Sequence, residues 1–187
     1  MIYSWQDPER VAQNKSPLRF AEPKYSFTAL IPARHEENVI SHTIKAIAAI
    51  KYPEYLKETL ILCRYDDYRT ILKAQEAIDA VRLPNIHVVT FEGDIVNKPH
   101  ALNIGLKRAE KDIIVVFDAE DEPHSDIYKI VNTVLVRDNP DVIQSGVQLM
   151  NFRSNWFATL NVLEYFFWFK SSLQFFANLG FILLGGN

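Results

Sequence analysis

The sequence predicts an α/β fold built on a mostly parallel sheet with helices on both faces. Short apolar segments alternate along the chain with segments in which apolar residues recur at helical spacing. Charged residues follow directly after four of the short apolar segments, where strands would leave the sheet. This alternation is typical of strand–helix–strand units, which form parallel sheets covered by helices on both faces.

The first two predicted strands are separated by a helix. Phe27–Ile31 is a short run with a strong preference for β-structure, and it ends at Pro32. Val39–Ile50 carries apolar residues at helical spacing and is predicted as a helix. Thr59–Cys63 is apolar again and is predicted as the second strand.

The middle of the chain repeats the pattern. Tyr68–Val81 has helical periodicity, and Pro84 shortly after it ends the helix. Ile86–Phe91 is predicted as the third strand. Pro99 is suited to a helix start, so a third helix is expected over His100–Ala109.

The last predicted elements begin with the most apolar strand. Asp112–Phe117 is apolar after its first residue, which predicts a central, buried strand. Ser125 is the expected N-cap of a helix that runs to about Arg137. Val142–Met150 is predicted as a further strand.

Composition fits one globular domain and limits its partners. The chain has 187 residues, of which 48% are hydrophobic, enough to bury a core. Its formal net charge of -3 gives no overall attraction to nucleic acid, so nucleic acid is not an expected partner. Cys63 stands alone, which excludes an intramolecular disulfide and suits a reducing compartment. We therefore expect action in the cytoplasm or at the cytoplasmic face of a membrane.

Two further expectations concern the ends of the chain. Residues 1–25 are polar and contain three prolines, so they are predicted as an extended lead-in to a domain over 26–187. No run reaches the roughly 18 apolar residues that a membrane span requires. The many aromatic residues of 156–181 suggest either a membrane interface or a helix packed on protein, and the second is favoured because they surround the helix.

The loops after the strands are the expected site of chemistry, because parallel strands end at one edge of the sheet and ligands bind there. The loop after the fourth strand carries Asp118, Glu120 and Asp121. Carboxylates this close repel one another, and a bound Mg²⁺ or Mn²⁺ would remove the repulsion. The alternative is a solvated acidic loop at the start of the next helix.

Cationic and imidazole groups also fall in these loops. Lys98 precedes a helix N-terminus, an arrangement that suits a diphosphate, although a surface lysine is the simpler explanation of the spacing alone. Three histidines lie in edge loops and are candidate ligand contacts, and none forms a zinc pattern with Cys63. They are His35, His100 and His124.

Five motifs in order resemble family 2 glycosyltransferases of the GT-A (Rossmann-like) fold. FTALIPARHEE resembles the first strand and its P-A-x-N-E loop, with His35 where Asn is usual, and LILCRYDDYRT resembles the second strand and the acidic turn that reads the base. NKPHALNIGL resembles the K-x-x-A-L-N segment, and VVFDAEDEP resembles the DxD metal motif. LEYFFWF and LGGN resemble the acceptor-side helix and the Gly-rich turn after it. The resemblance covers about residues 26–187.

The resemblance implies a nucleotide-sugar donor, a divalent cation and inversion at the sugar. Asp66 or Asp67 would hydrogen-bond the base, most often uracil, and Lys98 would approach the diphosphate. Asp118 would face ribose and metal, and Glu120 or Asp121 would ligate the metal. The other residues implied in donor binding are Pro32, Ala33, Arg34, His35, Glu36 and Asn103.

The resemblance also implies that the acceptor side is incomplete in this chain. Glu164 and the final Gly185, Gly186 and Asn187 match the acceptor side, whereas the family's catalytic base lies in a later E-D motif. The fragment is therefore expected to bind a nucleoside diphosphate weakly and to transfer little sugar to a glycan, lipid or other acceptor. The competing hypothesis is a nucleotide-sugar-binding module or inactive fragment that needs a partner chain. Other α/β enzymes are disfavoured because no Gly-rich phosphate loop follows the first strand.

Overall fold

A computed structural model of the chain describes residues 17–93 and 97–145. Residues 17–139 form one compact unit, to which the following account applies. The predicted acceptor-side residues Glu164, Gly185, Gly186 and Asn187 and the aromatic segment 156–181 lie outside the described residues, as do the first 16 residues of the predicted lead-in. The predicted strand Val142–Met150 is absent over 142–145, and its other residues also lie outside the described part.

The sheet has four parallel strands among the described residues, in the order β3-β2-β1-β4. Leu30 pairs with Leu60 on one side and with Val116 on the other, which places β1 between β2 and β4. The strands are β1 Phe27–Ala33, β2 Lys57–Arg64, β3 Ile86–Phe91 and β4 Ile113–Val116. The predicted parallel α/β architecture is confirmed.

In the described part of the chain, four α-helices connect and follow the strands: α1 Ile40–Ala48, α2 Tyr68–Val81, α3 Lys98–Arg108 and α4 Ile127–Asp138. Helix α3 starts next to Pro99, as that proline predicts. Asn97 caps the helix, because its side chain accepts a hydrogen bond from the His100 N–H at 2.8 Å. The predicted cap of α4 is wrong. Asp126 occupies the N-cap position, while the Ser125 carbonyl accepts a hydrogen bond from the Lys51 N–H at 2.7 Å.

The position of β4 differs from the prediction. Among the described strands its one neighbour is β1, and Val116 is 47% exposed. Strand β1 takes the central place instead, with Ala29 and Ile31 fully buried. The apolar sequence of β4 indicates a strand, but it does not specify how many neighbours that strand has.

Helices cover both faces of the sheet. On one face α3 packs close to the strands, because a Cβ atom on Gly105 would lie 2.7 Å from Leu62 Cδ1 and 3.0 Å from Leu30 Cδ2. On the other face the Phe27 ring stacks on Tyr128 of α4, with ring centroids 4.6 Å apart, and meets Tyr52 edge-on at 5.3 Å. None of the described helices has the length and apolar character needed to cross a bilayer.

The end of the predicted lead-in is attached to α4. Asn132 is fully buried, and its Oδ1 accepts hydrogen bonds from the N–H groups of Lys24 at 3.0 Å and Tyr25 at 3.2 Å. Its Nδ2 donates to the Glu22 carbonyl at 2.9 Å. These contacts make residues 22–25 part of the packed unit.

Candidate active site

A cleft of about 360 Å³ opens at the carboxyl edge of the sheet. It lies where β1 has β2 on one side and β4 on the other, which is the switch point of the strand order. Open α/β sheets bind ligands at such points, because the loops from the two neighbouring strands leave in opposite directions. The cleft is lined by Pro32, Ala33, Arg34, Glu36, Leu62, Arg64, Phe91, Asn97, Lys98, Ala101, Asp118, Ala119 and Glu120.

Seven of the residues singled out in the sequence meet in this cleft. They come from the loop after β1, the start of α3 and the loop after β4, and they are Pro32, Ala33, Arg34, Glu36, Lys98, Asp118 and Glu120. Five other candidates do not line it: His35, Asp66, Asp67, Asn103 and Asp121. His100 and His124 also lie outside its lining.

Opposite charges face each other within the cleft. Lys98 Nζ donates to Asp118 Oδ1, and the two side chains are 44% and 28% exposed. Glu36 lies close enough to other carboxylates for them to change its pKa. Burial first, and then repulsion from Glu120, raise the pKa of Glu36 above its usual value.

The loop after β4 is a tight turn with a fixed backbone. The Asp118 N–H donates to Asp121 Oδ2 at 2.8 Å, and the Asp121 N–H donates to the Asp118 carbonyl at 3.0 Å. The Thr43 hydroxyl of α1 donates to the Ala119 carbonyl, which anchors the turn. The side chain of Asp121 is therefore engaged with the backbone, whereas Asp118 and Glu120 reach the cleft.

The acidic side chains of the cleft can be compared with the ligands that a divalent cation requires. Within residues 17–93 and 97–145, no three His, Cys, Asp or Glu side chains gather as a metal site. Asp118 and Glu120 nevertheless supply two carboxylates to one cleft, and hard cations such as Mg²⁺ and Mn²⁺ prefer such oxygen ligands. These two residues fit a cation that completes its coordination with ligand oxygens.

The loop after β1 is held by residues at the start of α2. His35 has φ +60°, and its N–H donates to Asp67 Oδ2 at 2.7 Å. Asp67 is 6% exposed and also caps α2 by accepting from the Thr70 N–H at 3.4 Å. Burial alone would raise the pKa of Asp67, but the hydrogen bonds from His35 and Thr70 outweigh it and hold that pKa below the usual value.

Asp66 has a different environment from its neighbour. Its side chain is 48% exposed, and its Oδ1 lies 3.4 Å from Arg64 Nε. Arg64 itself lines the cleft, so Asp66 stands next to the site without lining it.

Sequence reasoning overlooked several cleft residues. Arg64 is the last residue of β2 and belongs to the charged residues noted at the strand ends, but it was not among the predicted site residues. Asn97 could have been identified as a helix cap from the proline two residues later. Leu62, Phe91 and Ala101 carry no polar signal, and their place in the cleft follows from the packing of α3 on the sheet.

The family model described as "Glycosyltransferase like family 2" matches residues 23–187. The chain belongs to this family. A curated relative, "Probable glycosyltransferase YdaM" of Bacillus subtilis (strain 168), is 32% identical over 105 residues. That match covers 54% of this chain and 24% of the relative, so the aligned part is about a quarter of the relative's length.

Solved structures share the fold. The mannosyltransferase PcManGT of Pyrobaculum calidifontis, in complex with GDP-Man and Mn²⁺, matches with a TM-score of 0.58 at 20% identity, over 71% of this chain and 39% of that one. Residues 1–349 of S. aureus TarS match with a TM-score of 0.54 at 20% identity, over 68% of this chain and 40% of that one. TarS has also been solved in complex with UDP-GlcNAc. These similarities establish the GT-A architecture of the described unit.

Proposed function

We propose that this chain provides the donor-binding part of a glycosyltransferase that uses a nucleoside diphosphate sugar. The observation that carries the proposal is the cleft of about 360 Å³, which is lined by cationic and anionic side chains from the ends of different strands and the start of α3. Its size falls in the range of small-molecule sites, roughly 300–1,000 Å³. A nucleotide sugar matches this lining, because its diphosphate is anionic and its sugar and ribose hydroxyls are hydrogen-bond donors.

The diphosphate is assigned to the start of α3. Lys98 is the first residue of that helix and lines the cleft, so its ammonium group adds to the positive end of the helix dipole, although in this turn Pro99 has no N–H and the His100 N–H is bonded to Asn97. A point charge combined with a helix N-terminus is a strong site for phosphate oxygens. Arg34 and Arg64 add two further cations to the same lining.

The nucleoside is assigned to the loop after β1. Pro32, Ala33 and Arg34 line the cleft on this side. Asp66 is the better placed of the two acidic candidates for the base, because its carboxylate is exposed beside Arg64 whereas that of Asp67 is buried. UDP and GDP are both reasonable probes, since the structural neighbours include complexes with UDP-GlcNAc and with GDP-Man.

A divalent cation is assigned to Asp118 and Glu120, the two carboxylates of the turn after β4 that reach the cleft. When bound, such a cation supplies positive charge that stabilises the departing nucleoside diphosphate. The structural neighbour PcManGT was solved with Mn²⁺, which makes Mn²⁺ the first ion to test. Inversion of the sugar and a catalytic base from the E-D motif of the family belong to the same proposal.

Calorimetric titration of UDP and GDP, each with and without Mn²⁺, tests the donor site. We expect Mn²⁺ to strengthen binding to wild-type protein and Asp118→Ala to abolish most of that gain. Loss of a charge-assisted contact of roughly 1.5–3 kcal/mol corresponds to about tenfold or more in affinity. Glu76→Ala is the matched control, because Glu76 is an exposed carboxylate on α2 paired with Lys73.

The outcome that rejects the donor site is equal binding in all samples, or none in any. Binding that responds to Asp118→Ala but yields no sugar transfer by a longer form of the protein would favour a nucleotide-sugar-binding module.

The single cysteine supports a further proposal, that the protein acts in the cytoplasm or at the cytoplasmic face of a membrane.

A further inference from the structure

Two consecutive backbone N–H groups in the loop after β1 are bound by side chains from α2 and its N-cap. The His35 N–H donates to Asp67 Oδ2 at 2.7 Å, and the Glu36 N–H donates to Thr70 Oγ1 at 3.0 Å. Asp67 is 6% exposed and Thr70 is fully buried. Neither side chain lines the cleft. Arg34 and Glu36, the residues before and after His35, both line it.

The backbone conformation shows why these bonds are needed. His35 has φ +60°, in the left-handed region of backbone conformation that residues other than Gly rarely adopt. Its side chain is 73% exposed, so packing of the imidazole does not hold it there. The hydrogen bonds from the two N–H groups to Asp67 and Thr70 hold the loop in this conformation, together with the Glu36 carbonyl, which accepts from the N–H groups of Val39 at 3.1 Å and Ile40 at 2.9 Å.

The acceptors are themselves held in place. Asp67 caps α2 through the Thr70 N–H, and the Ile71 N–H donates to the Asp67 carbonyl at 3.1 Å. Asp67 is thus bound to α2 through both its side chain and its backbone carbonyl, so it connects the start of α2 to the loop that lines the cleft.

We propose that Asp67 and Thr70 are positioning residues for donor binding, which hold the His35–Glu36 backbone so that Arg34 and Glu36 face the cleft without themselves touching the donor. The proposal rests on the proposed function, since it concerns the same cleft. The proposal gives different roles to two acidic neighbours that the sequence alone does not distinguish. Asp67 holds the loop after β1, and Asp66 is an exposed carboxylate beside the cleft.

The decisive comparison is between two substitutions at one position. Thr70→Val keeps the shape of the side chain and removes the oxygen that accepts from the Glu36 N–H. Thr70→Ser keeps that oxygen. We expect Thr70→Val to lower the affinity for UDP with Mn²⁺ about fivefold to tenfold, and Thr70→Ser to stay within about twofold of wild type.

Asp67→Ser provides an independent test of the positioning role. Serine is still a good helix N-cap, so α2 is retained, but its single short hydroxyl cannot also accept from the His35 N–H. We expect a loss of UDP affinity similar to that of Thr70→Val. Amide hydrogen exchange should become faster at His35 and Glu36 in both variants while the amides of β2 keep their protection.

Base selectivity distinguishes positioning from direct contact. A residue that only holds the loop should change the affinities for UDP, GDP and ADP by similar factors. If Asp67→Ser changes the ratio of UDP to ADP binding while Thr70→Val leaves it unchanged, Asp67 reads the base itself and the proposal is wrong. Unchanged UDP affinity in both variants, despite faster exchange at the two amides, overturns it as well.

Failure of the proposed function gives a different result. Wild-type protein that binds no nucleoside diphosphate, with or without Mn²⁺, rejects both the donor site and the positioning role. Wild-type protein that binds UDP while the Asp67 and Thr70 variants bind it equally well rejects the positioning role alone. If Asp67→Ser does not fold, the two Thr70 variants decide the question.

Discussion

Lys98 Nζ donates to Asp118 Oδ1 across the candidate active site, joining the first residue of α3 to the loop after β4. Under the proposed function the two residues contact different groups, Lys98 the diphosphate of the donor and Asp118 the cation. Each residue neutralises the charge of the other, so we expect a donor with its cation to compete with this ion pair.

Lys98→Met should have opposite effects on the two ligands. Affinity for UDP should fall about tenfold or more, because a charged hydrogen bond to phosphate is lost. Affinity for Mn²⁺ without nucleotide should rise, because Asp118 no longer has a competing cation. Mn²⁺ titration followed by electron paramagnetic resonance measures the second effect.

Lys107→Met is the matched control for this prediction. Lys107 is exposed in the last turn of α3 and does not line the cleft. It should leave both affinities unchanged. Weaker Mn²⁺ binding in Lys98→Met would contradict the view that Lys98 competes with the cation for Asp118.

Gly105→Ala tests how closely α3 approaches the sheet. A Cβ atom there would lie 2.7 and 3.1 Å from the two methyl groups of Leu62 and 3.0 Å from a methyl group of Leu30, so these buried side chains must shift. Overpacking of a core costs roughly 1–3 kcal/mol, against which the higher helix propensity of alanine recovers up to about 1 kcal/mol. We expect a net loss of about 1 kcal/mol in urea denaturation. Asn103→Ala, at an exposed position of the same helix, should not destabilise the protein.

The sequence predicted most elements because their signals are local. The bounds of α2 agree with the prediction, Tyr68–Val81, because helical periodicity is combined there with an N-cap residue and a nearby Pro84. The place of β4 in the sheet could not be predicted, since strand neighbours depend on contacts far apart in the chain. Ser125 was a plausible cap, but the chain enters α4 one residue later, at Asp126.

The same limit applies to the candidate active site. Arg34, Lys98 and Asp118 line one cleft, as expected for residues near the ends of parallel strands, because such strands share a carboxyl edge. Their polar character did not show which side chains face a ligand and which face the backbone. Asp67 and Asp121 are both acidic and both follow strands, yet each accepts a hydrogen bond from a backbone N–H of a neighbouring loop or turn.

Asn132→Ala should release the segment before β1. The buried amide accepts from two N–H groups of the segment and donates to the carbonyls of Glu22 at 2.9 Å and Ala21 at 3.5 Å, so its removal leaves four backbone groups without these partners. Unsatisfied groups of this kind cost roughly 1–3 kcal/mol each when fully buried, and water can reach part of this segment, so we expect about 2–3 kcal/mol in total. Limited proteolysis should show earlier cleavage before Ser26. Arg137→Ala, an exposed position on the same helix, should leave cleavage unchanged.

Acid pH should destabilise the wild-type protein through Asp67. Its pKa is lowered in the folded state by the hydrogen bonds from His35 and Thr70, despite burial, so its stabilising effect is fully present above the unfolded-state pKa of about 3.9. The effect is lost as the pH falls through the lower, folded-state pKa. Asp67→Asn cannot titrate, so the difference in unfolding free energy between wild type and Asp67→Asn should be largest near pH 6 and should shrink below about pH 4. Urea denaturation at several pH values measures this difference, with Asp66→Asn as the control, and a difference that stays constant down to pH 2 would show that Asp67 is not held ionised by these bonds.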